Sequence, residues 1–323
     1  KKRLEEFRHL LFEYPSMVEV CFRQHNSFRK ELDRIDLDGF DVIQFEGSDI
    51  AYRAYEIRKL SSNIPLVLEL FDVNSLIEYR NFKYAKGFRW RIYRYFEWKK
   101  MVNYERKVFP LFDRILVVSR EDKKLVLSLN PNANIEIIPN GVDTNFFNIN
   151  GNLEEPYSLN FVGSNWPPNI DGMIYFFSQI WKKIKKRIPQ AKIYIIGSVG
   201  NNETVKQFHN GKDVIVTGKV EDVRDWVSRT RVSVVPLRLG GGTRVKILEA
   251  MSMRKPIVST SMGCEGLEVR HRENILIADS PDRFAYQVVY LLEDKNLQAK
   301  LAINGRKFVE EKYEWKVIGE KLN

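Results

Sequence analysis

The stretch Val234-Val-Pro-Leu-Arg-Leu-Gly-Gly-Gly-Thr-Arg-Val-Lys-Ile-Leu-Glu-Ala-Met251 holds the residues best suited to chemistry. Its apolar start reads as a strand ending at Pro236, and a helix is expected to begin around Thr243. Between them, Gly240, Gly241 and Gly242 let the backbone approach a ligand where any Cβ would clash. Thr243 fits a helix N-cap, which would leave the first helical N–H groups aimed at the mouth of the strand. Those amides and the helix dipole make an anion site, and Arg244 and Lys246 add two formal positive charges beside it. Such a cradle holds a diphosphate without a metal. Glu249 lies three residues after Lys246, on about the same helix face, where a carboxylate can accept hydrogen bonds from a ribose diol. The bland alternative is a tight turn followed by a solvated face with an ordinary ion pair.

Other chemistries lack their residues. No Gly-x-x-x-x-Gly-Lys-[Ser/Thr] loop occurs, and Gly197-Ser-Val-Gly200 is too short for a dinucleotide fingerprint. The four histidines, His9, His25, His209 and His271, lack metal-ligand spacing. A Gly-x-Ser-x-Gly elbow is also absent. No metal and no resident cofactor are therefore expected.

The elements that must position this cradle recur through the chain. Asp41-Val-Ile-Gln-Phe45, Pro65-Leu-Val-Leu-Glu-Leu70, Arg114-Ile-Leu-Val-Val118 and Ile135-Glu-Ile-Ile138 read as buried strands. Six more follow: Leu159–Val162, Lys192–Ile196, Val214–Val216, Val232–Val235, Pro256–Val258 and Asn274–Ile277. The intervening segments suit crossover helices, so the class is doubly wound α/β with parallel sheets. Residues 1–38 read as mainly helical, with at most one short strand around Met17-Val-Glu-Val20.

At 323 residues the chain has room for two domains of about 150 residues each. Pro139-Asn-Gly-Val-Asp143 and the polar run Asn148–Pro156 carry turn and linker chemistry. The expected division is a first Rossmann-like domain over 1–147, a second over 148–305, and a C-terminal helix over 306–323 returning toward the first. Two cysteines, Cys21 and Cys264, point to a reducing cytoplasmic compartment. The charged start Lys1-Lys2-Arg3-Leu4-Glu5-Glu6 is no signal peptide. A net charge of +10, divided +3 and +7 between residues 1–150 and 151–323, favours anionic partners without choosing among them. Nucleic acid is disfavoured, because the charge is spread over several helices and no recognition signature is present.

Several motifs in one order carry a resemblance. From Ile138-Pro-Asn-Gly-Val-Asp-Thr144 to Trp315 they include Phe161-Val-Gly-Ser-Asn-Trp-Pro-Pro-Asn-Ile-Asp171, Ile195-Ile-Gly197 and Val216-Thr-Gly-Lys-Val220. The glycine-rich stretch, Lys255-Pro-Ile-Val-Ser-Thr260 and Gly263-Cys-Glu-Gly-Leu267 continue the series. The chain resembles the retaining glycosyltransferases of family 4, which have the GT-B fold of two Rossmann-like domains facing across a cleft. Upstream, Phe40-Asp-Val42, Leu70-Phe-Asp-Val-Asn-Ser75, Phe112-Asp113 and Val118-Ser119 resemble the later part of that family's acceptor-side domain.

The resemblance implies transfer of a hexose from a nucleotide-diphosphate sugar to a glycan, lipid-linked or cell-envelope acceptor. It gives Glu249 to the ribose and basic residues, here Arg244 and Lys246, to the diphosphate. Gly163 and Ser164 would face the diphosphate, and Gly218, Lys219 and Val220 would lie against the nucleobase. Asp72, Ser75 and Ser119 are cleft candidates in the first domain. For Asp72 and Ser75, helix capping is an equal alternative.

Departures are also visible. Gly241 stands where the family's Glu-x7-Glu pair has its first Glu, leaving the hexose to backbone amides of Gly241 and Gly242. Ser164, Asn165 and Trp166 replace the usual Arg and Lys after the first strand. Phe71-Asp72 replaces a His-Asp pair, and a branch of the family has the Gly-Gly-Gly-Thr-Arg variant. The family's opening strand and glycine-rich loop is not found before Phe40, which implies a first domain incomplete at its N-terminus. These departures keep open a non-catalytic nucleotide-sugar or glycan-binding module, and more distantly an epimerase or phosphorylase on the same fold.

From Tyr79 to Lys107, ten basic residues face two acidic ones, Glu97 and Glu105, among ten aromatics. Such a helix either lies on anionic lipid at the inner face of the membrane or packs its aromatics on the sheet with a solvated basic face. Lys182-Lys-Ile-Lys-Lys-Arg187 reads as favourable last-turn charge.

Overall fold

The computed structural model describes residues 14–22, 25–61, 63–85, 87–148 and 154–320. The charged start, His9, residues 149–153 of the expected linker and the last three residues lie outside the described residues. The chain divides into two compact units, Lys1–Ile138 and Pro139–Asn323.

In the first unit, helices α1 (Ser16–Phe22) and α2 (His25–Leu32) precede strand β1 (Ile43–Glu46). Then come α3 (Ala54–Leu60), β2 (Leu66–Leu70), α4 (Asn74–Lys83), α5 (Phe88–Val108), β3 (Arg114–Val117), α6 (Arg120–Leu129) and β4 (Ile135–Ile137). The four strands pair in parallel in the order β1-β2-β3-β4. Leu66, Leu68, Leu70, Ile115 and Val117 are buried, as strands covered on both faces require. Met17–Val20 belongs to α1 and is not a strand. The Glu19 N–H bonds back to the Pro15 carbonyl, a helical bond, while Val18 is buried and Met17 exposed.

Helix α5 turns both of its carboxylates inward. Glu97 accepts from the Ser16 N–H at 2.8 Å. Glu105, fully buried, accepts from Ser48 Oγ at 3.0 Å and from the Ser75 N–H, and Asn74 donates to Ser48 Oγ at 2.8 Å. The neighbouring Tyr104 hydroxyl donates to the Ser48 carbonyl and accepts from the Tyr52 N–H. These bonds pin the loop after β1 and the start of α4 onto one helix.

The second unit runs β5 (Ser158–Val162), α7 (Pro167–Tyr175), a π-helical turn over Phe176–Trp181 and α8 (Lys182–Arg187). Next are β6 (Lys192–Ile196), α9 (Glu203–Lys206), β7 (Val214–Gly218), α10 (Val223–Ser228), β8 (Val232–Val235) and α11 (Val245–Ser252). The last elements are β9 (Ile257–Ser259), β10 (Leu276–Ile277), α12 (Pro281–Glu293), α13 (Lys295–Lys312) and α14 (Trp315–Gly319). All six strands are parallel, in the order β10-β9-β8-β5-β6-β7. The chain leaves β5 in one direction through β6 and β7, then crosses back to β8. The crevice beyond the carboxyl ends of β5 and β8 is therefore the topological switch point, where sheets of this kind bind ligands.

The first unit ends at Ile138, and the described residues after 305 pack within the second unit. The reason is a set of buried bonds. Arg306 donates to the Thr144 and Ser252 carbonyls, Glu314 accepts from the Thr144 N–H, and Gly141 sits against the Trp315 ring.

Burial raises the Glu105 carboxyl from 4.5 to about 7. The folded chain thus holds this proton more tightly than the unfolded one, so the stabilisation is complete below 4.5 and is lost as pH rises through about 7. Glu105→Gln should flatten that part of the profile, about 3 kcal/mol in urea titrations between about pH 5 and pH 8. An unchanged slope would contradict this account.

Candidate functional site

At the switch point lies a pocket of about 280 Å³. Its walls come from the segment after β5 (Gly163, Ser164, Trp166, Asn169) and from the segment after β8 (Leu237, Thr243, Arg244, Lys246, Glu249). Six of the residues singled out in the sequence, Gly163, Ser164, Thr243, Arg244, Lys246 and Glu249, thus share one cavity.

The local geometry explains how they meet. Helix α11 begins at Val245, with Arg244 at the N-cap and no side-chain cap. Thr243 is therefore not the cap: the glycines carry the turn one residue beyond it. Gly240, at φ +109°, passes so close to the Trp166 ring and the Arg244 guanidinium that a Cβ would lie 2.9 and 3.0 Å from them. Arg244 is buried and donates to the Gly241 carbonyl, so the triplet wraps the guanidinium before the helix starts. On the β5 side, Gly197, at φ +98°, approaches the Gly163 carbonyl, which accepts from the Val199 N–H at 3.0 Å.

Lys246 is the electrostatic centre. Its Nζ donates to Asn169 Oδ1 at 2.6 Å and lies 4.5 Å from the centroid of the Phe161 ring. Burial pushes the ammonium down to about 7, the Arg244 charge adds to that shift, and Glu249 opposes it. Burial likewise raises the Glu249 carboxyl, with Lys246 pulling it back. An ammonium that is expensive to keep charged gains most from an arriving anion, because the anion supplies the missing counter-charge.

Asn169 had no role in the sequence reading. It stands in the first turn of α7 behind Pro167-Pro168. Its Nδ2 donates to the Ser164 carbonyl at 3.0 Å while its Oδ1 accepts from Lys246 Nζ, so one buried amide joins the two walls. The signal available was position alone: a polar residue in the first turn of a helix opened by two prolines. Arg238, also near the glycines, pairs with Asp171 at 2.7 Å and lies over the Tyr175 ring.

Other candidates lie elsewhere. Gly218 ends β7, Lys219 and Val220 follow it, and none of the three is on the pocket wall. The Gly218 carbonyl accepts from the Gly197 N–H, Lys219 is exposed, and Val220 packs against a small apolar cluster with Tyr194 and Ile196. Gly241 and Gly242 sit beside the wall. In the first unit, the Ser75 N–H serves Glu105, and Ser119 caps α6 by accepting from the Asp122 N–H. Asp72 is half-buried just before α4. Capping and anchoring are therefore what the structure displays for Ser75 and Ser119. Among the described residues no three His, Cys, Asp or Glu side chains converge as a metal site.

Comparison with known proteins agrees with this architecture. Residues 156–294 match the family model for Glycosyl transferases group 1, and residues 4–146 match that for Glycosyltransferase Family 4. The chain belongs to the group 1, family 4 glycosyltransferases. An uncharacterized 44.6 kDa protein in the cps region of Klebsiella pneumoniae is 26% identical over 49% of this chain and 43% of its own length. The capsular polysaccharide biosynthesis glycosyltransferase CapM of Staphylococcus aureus is 26% identical over 57% of this chain and 51% of its own. The chain thus spans about half the length of these relatives. Among solved structures, sucrose-phosphate synthase from Thermosynechococcus elongatus superposes with a TM-score of 0.73 at 16% identity, covering 95% of this chain and 77% of that one. Anabaena HepE in complex with UDP gives 0.66 at 15% identity, covering 88% and 78%. At such identities the likeness concerns the fold, which is GT-B-like.

Asn169→Ala should remove an acceptor from Lys246 and a donor from the Ser164 loop, costing roughly 1–3 kcal/mol of unfolding free energy. Urea denaturation checks this, and wild-type stability would show that the amide bridges nothing of consequence.

Proposed function

We propose that this glycosyltransferase moves a hexose from a nucleotide-diphosphate sugar to a glycan, lipid-linked or cell-envelope acceptor, with retention at the anomeric carbon. The observation that carries the reading is the gathering of Arg244, Lys246 and Glu249 in one pocket at the switch point. The capsular polysaccharide role of CapM and the UDP bound by HepE support the acceptor class and the donor class respectively. The paired basic side chains do the work that a divalent cation would otherwise do. Two isolated cysteines, Cys21 half-buried and Cys264 buried, fit a cytoplasmic enzyme.

In the reaction, the bond from the anomeric carbon to the β-phosphate oxygen breaks while the acceptor oxygen bonds to that carbon on the same face. The acceptor proton passes to an oxygen of the departing phosphate, so no side-chain base is needed. Negative charge grows on the diphosphate, and Lys246 and Arg244 stabilise that charge most when it is largest. Glu249, deeper along α11, holds the ribose. Gly241, at the place of the family's other Glu, favours a second reading, a non-catalytic module that binds nucleotide sugar.

Lys246→Ala and Arg244→Ala should each cost roughly 2–4 kcal/mol of barrier in product-forming assays with the full chain. Turnover that is unchanged in both would end the assignment, and a wild-type chain that binds donor without turnover would select the second reading. Transfer should persist in EDTA; a requirement for added magnesium would remove the metal-free part of the proposal.

The charge on Lys246 also gives a pH signature. Binding an anion favours the ammonium, whose pKa in the empty pocket is about 7, so above that value binding must take up a proton. UDP affinity in calorimetry should fall about fivefold from about pH 7 to pH 8. Lys246→Arg, charged throughout, should be flat. A parallel decline in both proteins would place the titration elsewhere.

A further inference from the structure

Helices α4 and α5 form a hairpin whose outward face the core does not use. On α5, Tyr93, Glu97, Met101 and Tyr104 are buried. The opposite face, spaced at i, i+4, i+7, i+8 and i+11, carries Phe88, Ile92, Tyr95, Phe96 and Lys99. Phe88 is 80% exposed and Phe96 47%. With Phe82 of α4 and Arg91 these residues line an apolar groove of about 290 Å³. The groove has a rigid back, because Phe82 stacks on Trp98 with ring centroids 5.8 Å apart and planes at 5°.

The charge around the groove has one sign. Lys83, Arg89, Arg91 and Lys99 are exposed. The carboxylates of the hairpin are withdrawn: Glu97 and Glu105 are buried, and Glu78 pairs with Arg94 at 3.2 Å. A solvated basic face has no need of an almost bare phenylalanine at its start, and a packed aromatic face has no need to send every acid inward. Apolar and aromatic side chains that enter an interface, ringed by cations that meet phosphates, match the surface of an anionic bilayer. No helix among the described residues is long and apolar enough to cross a membrane, so this surface would lie on the bilayer.

We propose that the α4–α5 hairpin docks on anionic phospholipid, with Phe88, Ile92, Tyr95 and Phe96 entering the headgroup layer and Arg89, Arg91 and Lys99 at the phosphates. The proposal goes beyond the transfer reaction, and its test involves neither donor nor acceptor, so the two can fail separately.

Flotation of the 323-residue chain with phosphatidylcholine vesicles, with and without phosphatidylglycerol, tests it, with dextran sulfate as a soluble polyanion. The chain should float with the phosphatidylglycerol vesicles alone and be released by high salt. Arg91→Gln with Lys99→Gln should weaken the partition on the order of 30-fold. Phe88→Ser with Phe96→Ser should abolish flotation while leaving capture by dextran sulfate unchanged; both positions are exposed, and an unaltered melting temperature confirms the fold. Three results would overturn the proposal: no flotation with phosphatidylglycerol, equal flotation with phosphatidylcholine alone, or flotation that survives the serine pair.

Discussion

A single half-buried ammonium organises the second unit's crevice. Lys246 lies between an amide oxygen and an aromatic ring, two positions along the chain from the buried Arg244. Two cations this close are mutually unfavourable in a medium that screens poorly. The surrounding structure holds them there through the glycine turn, the Asn169 bridge and the register of β5 beside β8. A polyanion entering this crevice would offset that repulsion.

The same logic in reverse operates in the first unit. There a carboxylate, Glu105, is buried and is served by a hydroxyl and a backbone amide. Burying it costs stability near neutrality, yet it fastens two separate segments, the loop after β1 and the start of α4, to α5. Turning its acids inward also gives α5 an outward face of uniform sign.

How much of this was legible in the sequence depended on how local each cause was. The strands of both sheets could be read because runs such as Lys192–Ile196 and Val232–Val235 are continuous and apolar, as doubly covered strands must be. The Gly-Gly-Gly-Thr-Arg-x-Lys cluster was legible for the same reason, since glycine and charge preferences act within a few residues. Met17–Val20 misled because four residues of mixed character fit a strand or a helical turn, and contact with Glu97, far along the chain, decides between them. Thr243 has good cap chemistry, but the path of the glycines leaves that position to Arg244. Asn169 was unreadable in principle: its importance comes from Lys246, 77 positions away.

Arg306 shows where the chain can be cut. A sequence-guided dissection would separate the halves at the polar run after residue 147 and treat the terminal helix as dispensable trim. In fact Arg306 reaches the Thr144 and Phe147 carbonyls as well as the end of the helix bearing Lys246, and Trp315 covers Gly141. The segment entering this half and the segment leaving it are therefore a clasp. An excised second unit that starts at Pro139 and keeps α14 retains the clasp, whereas one started at 148 takes the Thr144 and Phe147 carbonyls from Arg306, and one stopped at 305 removes their donor.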